Sequence, residues 1–363
     1  MRLRRLWLTD FRNFASTEVE PASGLTALVG PNGVGKTNLL EAVAYLATLS
    51  SFRGAPGEAL IRTGADVAVV RAELTLDRSA GATNALVEAE LRMTGRDRVL
   101  VNRQPLRRVS DLVGTTQVTV FSPDDLALVK GGPSHRRQLV DELLTAGSPR
   151  LAAVHTDLDR VLRQRGTLLR QVGGRLSPEV VSTLDVWDAK LSELGEALGR
   201  ARARLVERLE PLVAEVYDQV ATAAARVTLS YQAPWRTDGL AATLASTRKD
   251  DVRRGLTTAG PHRDDVVFAL AGLPARTHAS QGEQRSLALA LRLGGHHLVA
   301  DVGGSVPVLL LDDVFSELDP ERSAALVAHL PDAQALLTTT GALPPGANPE
   351  LVLGVDDGRV RIR

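Results

Sequence analysis

The stretch GPNGVGKT at residues 30–37 constrains the fold more than any other feature of this sequence. It matches the pattern G-x-x-x-x-G-K-[ST], with the apolar run LTALV before it and the helical pattern NLLEAVAYLATL after it. Glycines let backbone amides curl around a phosphate, and the amino terminus of the following helix adds its dipole. The sequence therefore predicts an α/β domain with a nucleotide-binding loop between a buried strand and a helix.

The motif also assigns roles to individual side chains. Lys36 is expected to neutralise the β- and γ-phosphates of ATP, and the Thr37 hydroxyl is expected to bind Mg²⁺. The residues predicted to contact ATP through this motif are Gly30, Pro31, Asn32, Gly33, Val34, Gly35, Lys36, Thr37 and Asn38.

A second motif, VLLLDDVFSELD at residues 308–319, supplies two carboxylates directly after an apolar run. Ligands of parallel sheets gather at the carboxyl ends of the strands, which is where Asp312 follows. We expect Asp312 to contribute to the Mg²⁺ site and Asp313 to orient or deprotonate the attacking water. A strand that ends in a solvated Asp-Asp turn is the alternative, and the phosphate loop in the same chain argues against it.

A polar stretch, SQGEQ at residues 280–284, precedes the helical pattern RSLALALRL far along the chain. On its own it is typical of an ordinary helix start, with Ser280 as the capping residue and Glu283 three positions later.

The distribution of apolar residues predicts an interrupted sheet. Alternating or apolar runs indicate strands at 67–76, 85–93, 98–102 and 117–121, and again at 227–232, 265–270, 306–311 and 335–340. Between them, two stretches with three- and four-residue apolar spacing, 150–172 and 184–220, predict a helical hairpin. We expect an ATPase head of mixed sheet formed by 1–121 and 256–363, with a helical arm inserted at 122–255.

Composition excludes several classes of function. The 363 residues include no cysteine, so disulfides, thiol catalysis and zinc-thiolate sites are excluded, and a cytoplasmic protein is expected. The net charge is zero, although 39 of the 43 basic residues are arginine, from base composition or for phosphate contacts. Aromatic residues make up only 3%, which disfavours a platform for stacked bases.

Taken together and in this order, GPNGVGKT, SQGEQ and LLLDDVFSELD resemble the ATP-binding-cassette ATPases, and within them the SMC-like repair branch. Further stretches that carry the resemblance are LTDFRNF (8–14), SPDDLALVKGGPSHRRQLVDELL (122–144) and TTAGPHRDDVVFALAG (257–272). The resemblance implies an ABC-type P-loop ATPase head with a mixed sheet and an inserted α-helical arm. It also implies that two heads pair on ATP, each signature motif capping the nucleotide of the other.

Particular residues acquire roles through this resemblance. The signature residues Ser280, Gly282 and Gln284 are expected at the partner's ATP, with Ser280 taking part in catalysis beside Asp313 and Lys36. Arg12 and Asn13 are expected near the nucleotide, Arg53 is a weaker phosphate candidate, and SELD at 316–319 is expected at the dimer interface.

Three positions depart from the common cassette pattern. Asp313 stands where many cassettes have the longer Glu, which predicts slow hydrolysis. The next strand ends in TTTG at 338–341 without a switch histidine, so Thr340 or a neighbour is expected to sense the γ-phosphate. Gln117 is the candidate for the glutamine loop.

The implied function is a recombination mediator in DNA replication, repair and the SOS response. The resemblance implies a weak DNA-dependent ATPase that binds single-/double-stranded junctions at gaps and promotes RecA loading with RecO and RecR. Candidate DNA contacts are Arg107, Arg108, Lys130, Arg136 and Arg137, with the helical clusters Arg163/Arg165/Arg170 and Arg200/Arg202/Arg204, which solvated helix faces explain equally well. The alternatives are an ABC-transporter ATPase subunit and an SMC-type clamp. The predicted helical arm is too long for the transporter subunit and too short for the clamp.

Overall fold

The structure is a computed structural model that describes residues 1–78, 81–106, 112, 115–175, 177–221, 223–303 and 305–363. It comprises two compact units. Unit 1 contains Met1–Leu126, Glu215–Ala224 and Arg285–Arg363, and unit 2 contains Ala127–Ala214 and Ala225–Gln284. GPNGVGKT and LLLDD therefore belong to unit 1, whereas SQGEQ belongs to unit 2.

The regular elements are numbered in chain order. The strands are β1 (Arg2–Phe11), β2 (Phe14–Val19), β3 (Leu25–Val29), β4 (Val67–Arg78), β5 (Gly81–Arg92), β6 (Arg98–Val101), β7 (Gln104–Pro105), β8 (Val118–Phe121), β9 (Val227–Gln232), β10 (Asp265–Leu270), β11 (Leu273–Pro274), β12 (Val308–Leu311), β13 (Ala335–Thr339), β14 (Leu351–Asp356) and β15 (Arg359–Ile362). The helices are α1 (Lys36–Thr48), α2 (Leu126–Lys130), α3 (Pro133–Gly147), α4 (Pro149–Gln171), α5 (Pro178–Val220), α6 (Leu240–Arg254), α7 (Ala275–His278), α8 (Gln281–Gly303) and α9 (Pro320–Ala328).

An antiparallel sheet of unit 1 has the strand order β2-β1-β4-β5-β6-β7. Its strands alternate between buried apolar residues and exposed polar ones, as expected for a sheet with one wet face. On the outer face Arg71 and Glu88 lie opposite each other and form an ion pair. The inner face joins α1 and part of the second sheet in one hydrophobic core.

A mixed sheet, also in unit 1, has the order β15-β14-β3-β13-β12-β8. The strands from β14 to β8 are parallel, and only β15 is antiparallel. Leu310 and Leu311 of β12 are fully buried, as are Ala27 and Leu28 of β3, because both faces of these strands are covered. The parallel direction brings the carboxyl ends of β3, β12 and β13 to one edge.

The strands predicted for one interrupted sheet lie in three sheets. Strands β1, β2 and β4–β7 pair among themselves, β3, β8 and β12–β15 form a separate sheet, and β9–β11 form the sheet of unit 2. The pair β14–β15 gave no recognised signal in the sequence because Gly354, Asp356 and two arginines break its apolar pattern.

Unit 2 contains the long helix α4 and the part of α5 up to Ala214, where a helical hairpin was predicted. Leu184, Leu191 and Leu198 of the predicted α5 seam are at most 1% exposed. Leu184 packs with Leu169 of α4 and Val252 of α6. A three-stranded antiparallel sheet, β11-β10-β9, belongs to the same unit.

The limits of unit 2 differ from the predicted arm at 122–255. Residues 256–284 belong to unit 2, because β10 pairs with β9 and because Arg136 of α3 makes a bidentate ion pair with Asp265. Residues 122–126 belong to unit 1, where Asp125 accepts hydrogen bonds from Arg292. An apolar pattern records helix and strand type, but it does not record which distant strand or ion-pair partner completes a unit.

His155 of α4 gives unit 2 a pH-dependent contact. Its Nε2 lies 3.2 Å from Asp141 Oδ2, and its Nδ1 lies 3.6 Å from Asp159 Oδ2. The hydrogen bond with Asp141 raises the pKa of His155 above its ordinary value of 6.5, although burial and the charge of Arg202 oppose this. The protonated imidazole therefore stabilises the folded state fully below pH 6.5, and this stabilisation is lost as the pH rises through the folded-state pKa.

We expect His155→Gln to lower the free energy of unfolding by less than about 1 kcal/mol near pH 6 and by a smaller amount near pH 9. The small size follows from the partial exposure of the pair. Urea denaturation of both proteins at the two pH values measures the difference. An equal loss at both would contradict a protonated His155–Asp141 pair.

Candidate functional site

The phosphate loop lies between β3 and α1, and its glycines are required by close backbone approach. A Cβ atom at Gly30 would lie 2.2 Å from the carbonyl oxygen of Val355. Gly35 has a φ of 110°, and a Cβ there would lie 2.5 Å from the side-chain amide of Asn13. Because neither position can carry a side chain, the loop backbone is uncovered there, and the amino terminus of α1 lies at the end of the loop.

Lys36 is folded into the loop. Its Nζ donates to the carbonyl oxygens of Gly30 and Pro31, at 2.7 Å in each case. Burial lowers the pKa of Lys36, and the charges of Asp313 and Asp312 oppose that effect. A cation held by backbone carbonyls at a helix amino terminus can exchange these contacts for phosphate oxygens.

Thr37 and Asp312 meet at the base of the site. Thr37 Oγ1 donates to Asp312 Oδ1 at 2.8 Å, and Thr338 Oγ1 donates to the same oxygen at 2.9 Å. Burial raises the pKa of Asp312 above its ordinary value of 3.8, while these two hydrogen bonds lower it. A divalent cation would favour the ionised carboxylate, and a hydroxyl with a carboxylate is a donor set that suits Mg²⁺. The residues present therefore fit the predicted metal.

Asp313 is held in a left-handed backbone conformation with φ of 48°. Its backbone N–H donates to Thr338 Oγ1 at 2.8 Å, and its carbonyl oxygen accepts from Ser316 Oγ at 2.7 Å. These bonds fix the turn after β12, and a strained non-glycine residue at such a position is common at functional sites. Its side chain lines the same cleft as Lys36.

The cleft has a volume of about 730 Å³. The residues that line it are Arg12, Asn13, Asn32, Gly33, Gly35, Lys36, Thr37, Asn38, Arg53, Ala59, Ile61, Arg62, Thr63, Asp313 and Thr338. The lining contains three arginines and Lys36 but one carboxylate, that of Asp313, so it is a basic cleft suited to a polyanion.

Arg12 and Asn13 occupy the turn between β1 and β2 and reach the loop from the side. Arg12 makes a bidentate ion pair with Glu41, with both N–O distances 2.8 Å. Asn13 Nδ2 donates to the carbonyl oxygen of Val34, and Asn38 Nδ2 donates to Asn13 Oδ1. Asn13 therefore braces the phosphate loop, while Arg12 forms one wall of the cleft.

The signature residues lie at the start of α8. Ser280 and Glu283 make the reciprocal bonds of a capping box, 2.7 Å from Ser280 N to Glu283 Oε2 and 3.3 Å from Glu283 N to Ser280 Oγ. Ser280 is exposed and Gly282 half-buried. Gln284 is buried, and its amide donates to the carbonyl oxygens of Ala275 and Arg276. Gln284 thus holds α7 against the start of α8 rather than presenting its side chain at the surface.

The segment 316–319 connects Asp313 to α9. Ser316 bonds back to Asp313, and Asp319 caps α9 by accepting from the backbone N–H of Arg322 at 2.9 Å. Ser316 is exposed and Glu317 is half-buried, so this segment lies on the surface of unit 1.

Four of the basic residues proposed for DNA contact are already paired inside unit 2. Arg136 is 6% exposed and bound to Asp265, and Arg137 donates to the carbonyl oxygen of Asp264 at 2.7 Å. Arg165 lies between Asp188 and Asp251 at 2.7 and 2.8 Å, and Arg202 binds Asp141 at 2.8 Å. Arg136, Arg165 and Arg202 are buried and therefore not available as phosphate contacts, whereas Arg137 is half-buried.

Other candidates remain on the surface. Lys130, Arg163, Arg170, Arg200 and Arg204 are exposed. Arg107 and Arg108 lie outside the described residues.

The structure places Gln117 away from the cleft and brings Thr338, rather than Thr340, to the cleft. Gln117 precedes β8 at its amino end, opposite the edge that carries the phosphate loop, and it lies against Gly303. Thr340 is exposed, whereas Thr338 bridges the two aspartates. The TTTG stretch pointed to the correct strand end, but only the register of β13 decides which threonine faces the cleft.

Within the described part of the chain, no helix has both the length and the apolar character needed to cross a membrane.

Comparison with known proteins finds relatives that match along nearly the whole chain. Residues 2–340 match the family model described as RecF/RecN/SMC N terminal domain. The sequence is 44% identical to the DNA replication and repair protein RecF of Streptomyces avermitilis, with 93% of each chain covered. It is 40% identical to RecF of Kineococcus radiotolerans, with 100% of this chain and 98% of that one covered.

Solved structures agree. A structure of the recombination mediator protein RecF with ATP, in the RecFOR pathway, superposes with a TM-score of 0.90 at 26% identity, covering 99% of this chain and 97% of that chain. An SMC head bound to the C-winged helix domain of ScpA gives a TM-score of 0.61 at 17% identity, covering 100% and 97%. The predicted α/β class with an ABC-type ATPase head is therefore confirmed.

Proposed function

The chain belongs to the RecF family of DNA replication and repair proteins, and from this premise we propose that it binds ATP with Mg²⁺ at the P-loop of unit 1 and pairs with a second copy of itself. The observation that carries the proposal is the 2.8 Å hydrogen bond between Thr37 and Asp312, residues 275 apart, at the base of a basic cleft. A glycine turn without a phosphate-binding role would not require a hydrogen bond between Thr37 and Asp312. The relative solved with ATP supports the choice of nucleotide.

The side chains divide the work on the triphosphate. Backbone amides of the loop and the amino terminus of α1 receive phosphate oxygens, and Lys36 leaves Gly30 and Pro31 to meet them. Thr37 and Asp312 hold Mg²⁺, which neutralises phosphate charge when bound.

Ser280, Gly282 and the start of α8 supply the other half of the nucleotide site to a second copy. Ser280 is exposed, and the helix amino terminus behind it favours negative charge. ATP then joins two subunits, and hydrolysis separates them. The dimer binds single-/double-stranded DNA junctions at gaps and, with RecR and RecO, promotes RecA loading.

The proposal is tested by sizing the protein with and without ATP and gapped DNA at two salt concentrations. We expect a dimer only with ATP, and DNA binding that weakens steeply with salt because it depends on phosphate contacts. A protein that stays monomeric at saturating ATP would contradict the proposal. A transporter subunit would dimerise with no effect of DNA, and no described feature favours that function.

Asp313 is proposed to orient the attacking water. Because its side chain is shorter than that of glutamate, its carboxylate would lie farther from the water, which makes hydrolysis slow. We expect Asp313→Asn to slow hydrolysis on the order of a hundredfold while ATP still binds, since a positioned base contributes that much. The dimer should then persist after excess ATP is removed. Phosphate release and the lifetime of the dimer measure the two effects.

The matched control is Asp332→Asn, an exposed aspartate of unit 1 outside the cleft. It should leave hydrolysis unchanged. Undiminished turnover in Asp313→Asn would remove Asp313 from the proposed role.

A further inference from the structure

Glu41 is a fully buried carboxylate on the helix that follows the phosphate loop. It lies one turn after Thr37, and its side chain is 0% exposed. It does not line the cleft. A buried charge is costly unless it is paired and hydrogen-bonded, so its partners decide why it is there.

All the partners of Glu41 belong to segments that form the walls of the cleft. Arg12 donates from Nε to Oε2 and from Nη2 to Oε1, at 2.8 Å in each case. The third nitrogen of Arg12 donates to the carbonyl oxygen of Ala59 at 2.8 Å. The guanidinium is thus held in one orientation by two planar, charge-assisted bonds and a third contact.

A second connection runs from Glu41 to the segment 51–54. Ser51 Oγ donates to Glu41 Oε1, and the backbone N–H of Arg53 donates to Ser51 Oγ at 3.1 Å. The side chain of Arg53 is exposed in the cleft, and the hydrogen bond that it makes within the described part of the chain is a long one, 3.4 Å to Asn38 Oδ1. Its position therefore depends on the backbone of this segment rather than on contacts of its own.

We propose that Glu41 is the positioning residue for two of the three arginines of the cleft, directly for Arg12 and through Ser51 for Arg53. It ties three separate segments, α1, the β1–β2 turn and residues 51–54, to the loop that receives phosphate. The inference rests on the proposed function, since it assigns the arginines to the nucleotide. A preorganised cation costs less to order when the ligand arrives, so loss of Glu41 should appear in ATP affinity.

The test measures binding of a non-hydrolysable ATP analogue with Mg²⁺ to the full chain. Glu41→Gln keeps the shape of the side chain but places an NH₂ donor against the donors of Arg12. We expect its affinity to fall on the order of tenfold. Asp125→Asn is the matched control, because Asp125 is also buried in unit 1 and paired with an arginine, Arg292 at 2.7 Å, away from the cleft. It should lower the thermal midpoint without changing affinity.

A double-mutant cycle with Arg12→Ala separates positioning from general stability. The tenfold effect of Glu41→Gln should shrink to about threefold or less when Arg12 is absent, because the remaining effect passes only through Ser51. The same tenfold loss in both backgrounds, or no loss with Arg12 present, would overturn the inference.

Ser51→Ala provides the second variant and leaves the Arg12–Glu41 pair intact. We expect about a threefold loss of affinity that disappears in the Arg53→Ala background. If Glu41→Gln fails to fold, this variant decides, and unchanged affinity in Ser51→Ala would overturn the inference. Wild-type protein that binds no ATP would instead refute the proposed function.

Discussion

Lys36→Met protein is expected to bind ATP at least about a hundredfold more weakly than wild type and to stay monomeric at ATP concentrations that pair the wild type, since charge-assisted hydrogen bonds to phosphate are lost. Lys36 lies inside the loop, with Nζ 2.7 Å from the carbonyl oxygens of Gly30 and Pro31. Methionine has a similar length and no charge, so the backbone cradle remains while its cation is removed. Calorimetric titration with ATP and sedimentation with ATP measure the two effects.

Lys190→Met is the matched control for this substitution. Lys190 is exposed on α5 and pairs only with Glu193, three residues away. Both its affinity for ATP and its dimerisation should equal those of the wild type. A Lys36→Met protein that still dimerises with ATP would break the link between phosphate binding and pairing, even if its affinity were reduced.

The nucleotide site was predictable because its parts are local in sequence and fixed by strand direction. GPNGVGKT needs a strand before it and a helix after it, and β3 and α1 are those elements. Asp312 follows a fully buried strand, and a parallel sheet places such a residue beside the phosphate loop. The chemistry then requires the two motifs to touch, and Thr37 and Asp312 do.

The residues that sequence reasoning missed or misassigned depend on distant partners. In the sequence, Arg165 is one of several arginines in a helical pattern, and the ion pair with Asp251 is visible only in the folded structure. Arg136 was a candidate DNA contact, but it donates a hydrogen bond to Asp265, which lies 129 residues away in the sequence. Glu41 reads as an ordinary polar position of α1, because nothing local shows that Arg12 and Ser51 converge on it. Charge alone does not reveal whether a side chain is solvated or paired.

Ser280 shows that two sequence interpretations can hold together. The capping box with Glu283 is present, so the local reading of SQGEQ as a helix start is correct. The same bonds orient the amino terminus of α8 and keep the Ser280 hydroxyl at the surface, as a trans-acting signature would require. A helix cap that also contacts a second subunit is compatible with both interpretations. The geometry of the cap is the same whether or not a second subunit binds there.

The substitution Ser280→Arg distinguishes a helix cap alone from a helix cap that also contacts a second subunit. We expect it to bind ATP like the wild type, because every residue of the nucleotide cleft lies elsewhere in the chain. It should nevertheless remain monomeric, since a long side chain at an exposed position keeps Gly282 and the helix amino terminus away from a partner's phosphate. The expected loss of pairing is on the order of a hundredfold, as for removal of well-packed contacts at the centre of an interface. Sedimentation over a range of protein concentrations at saturating ATP measures it.

Loss of the helix cap needs its own control, because Ser280→Arg removes the hydroxyl as well as adding bulk. Ser280→Ala removes only the hydroxyl and should cost about 1 kcal/mol of stability, with a smaller loss of pairing. If the two variants pair equally poorly, the hydroxyl itself makes the contact; if Arg is far worse, close backbone approach at Gly282 dominates. Normal ATP-dependent pairing of Ser280→Arg would show that the signature meets no partner, and the dimer would then have to form through another surface.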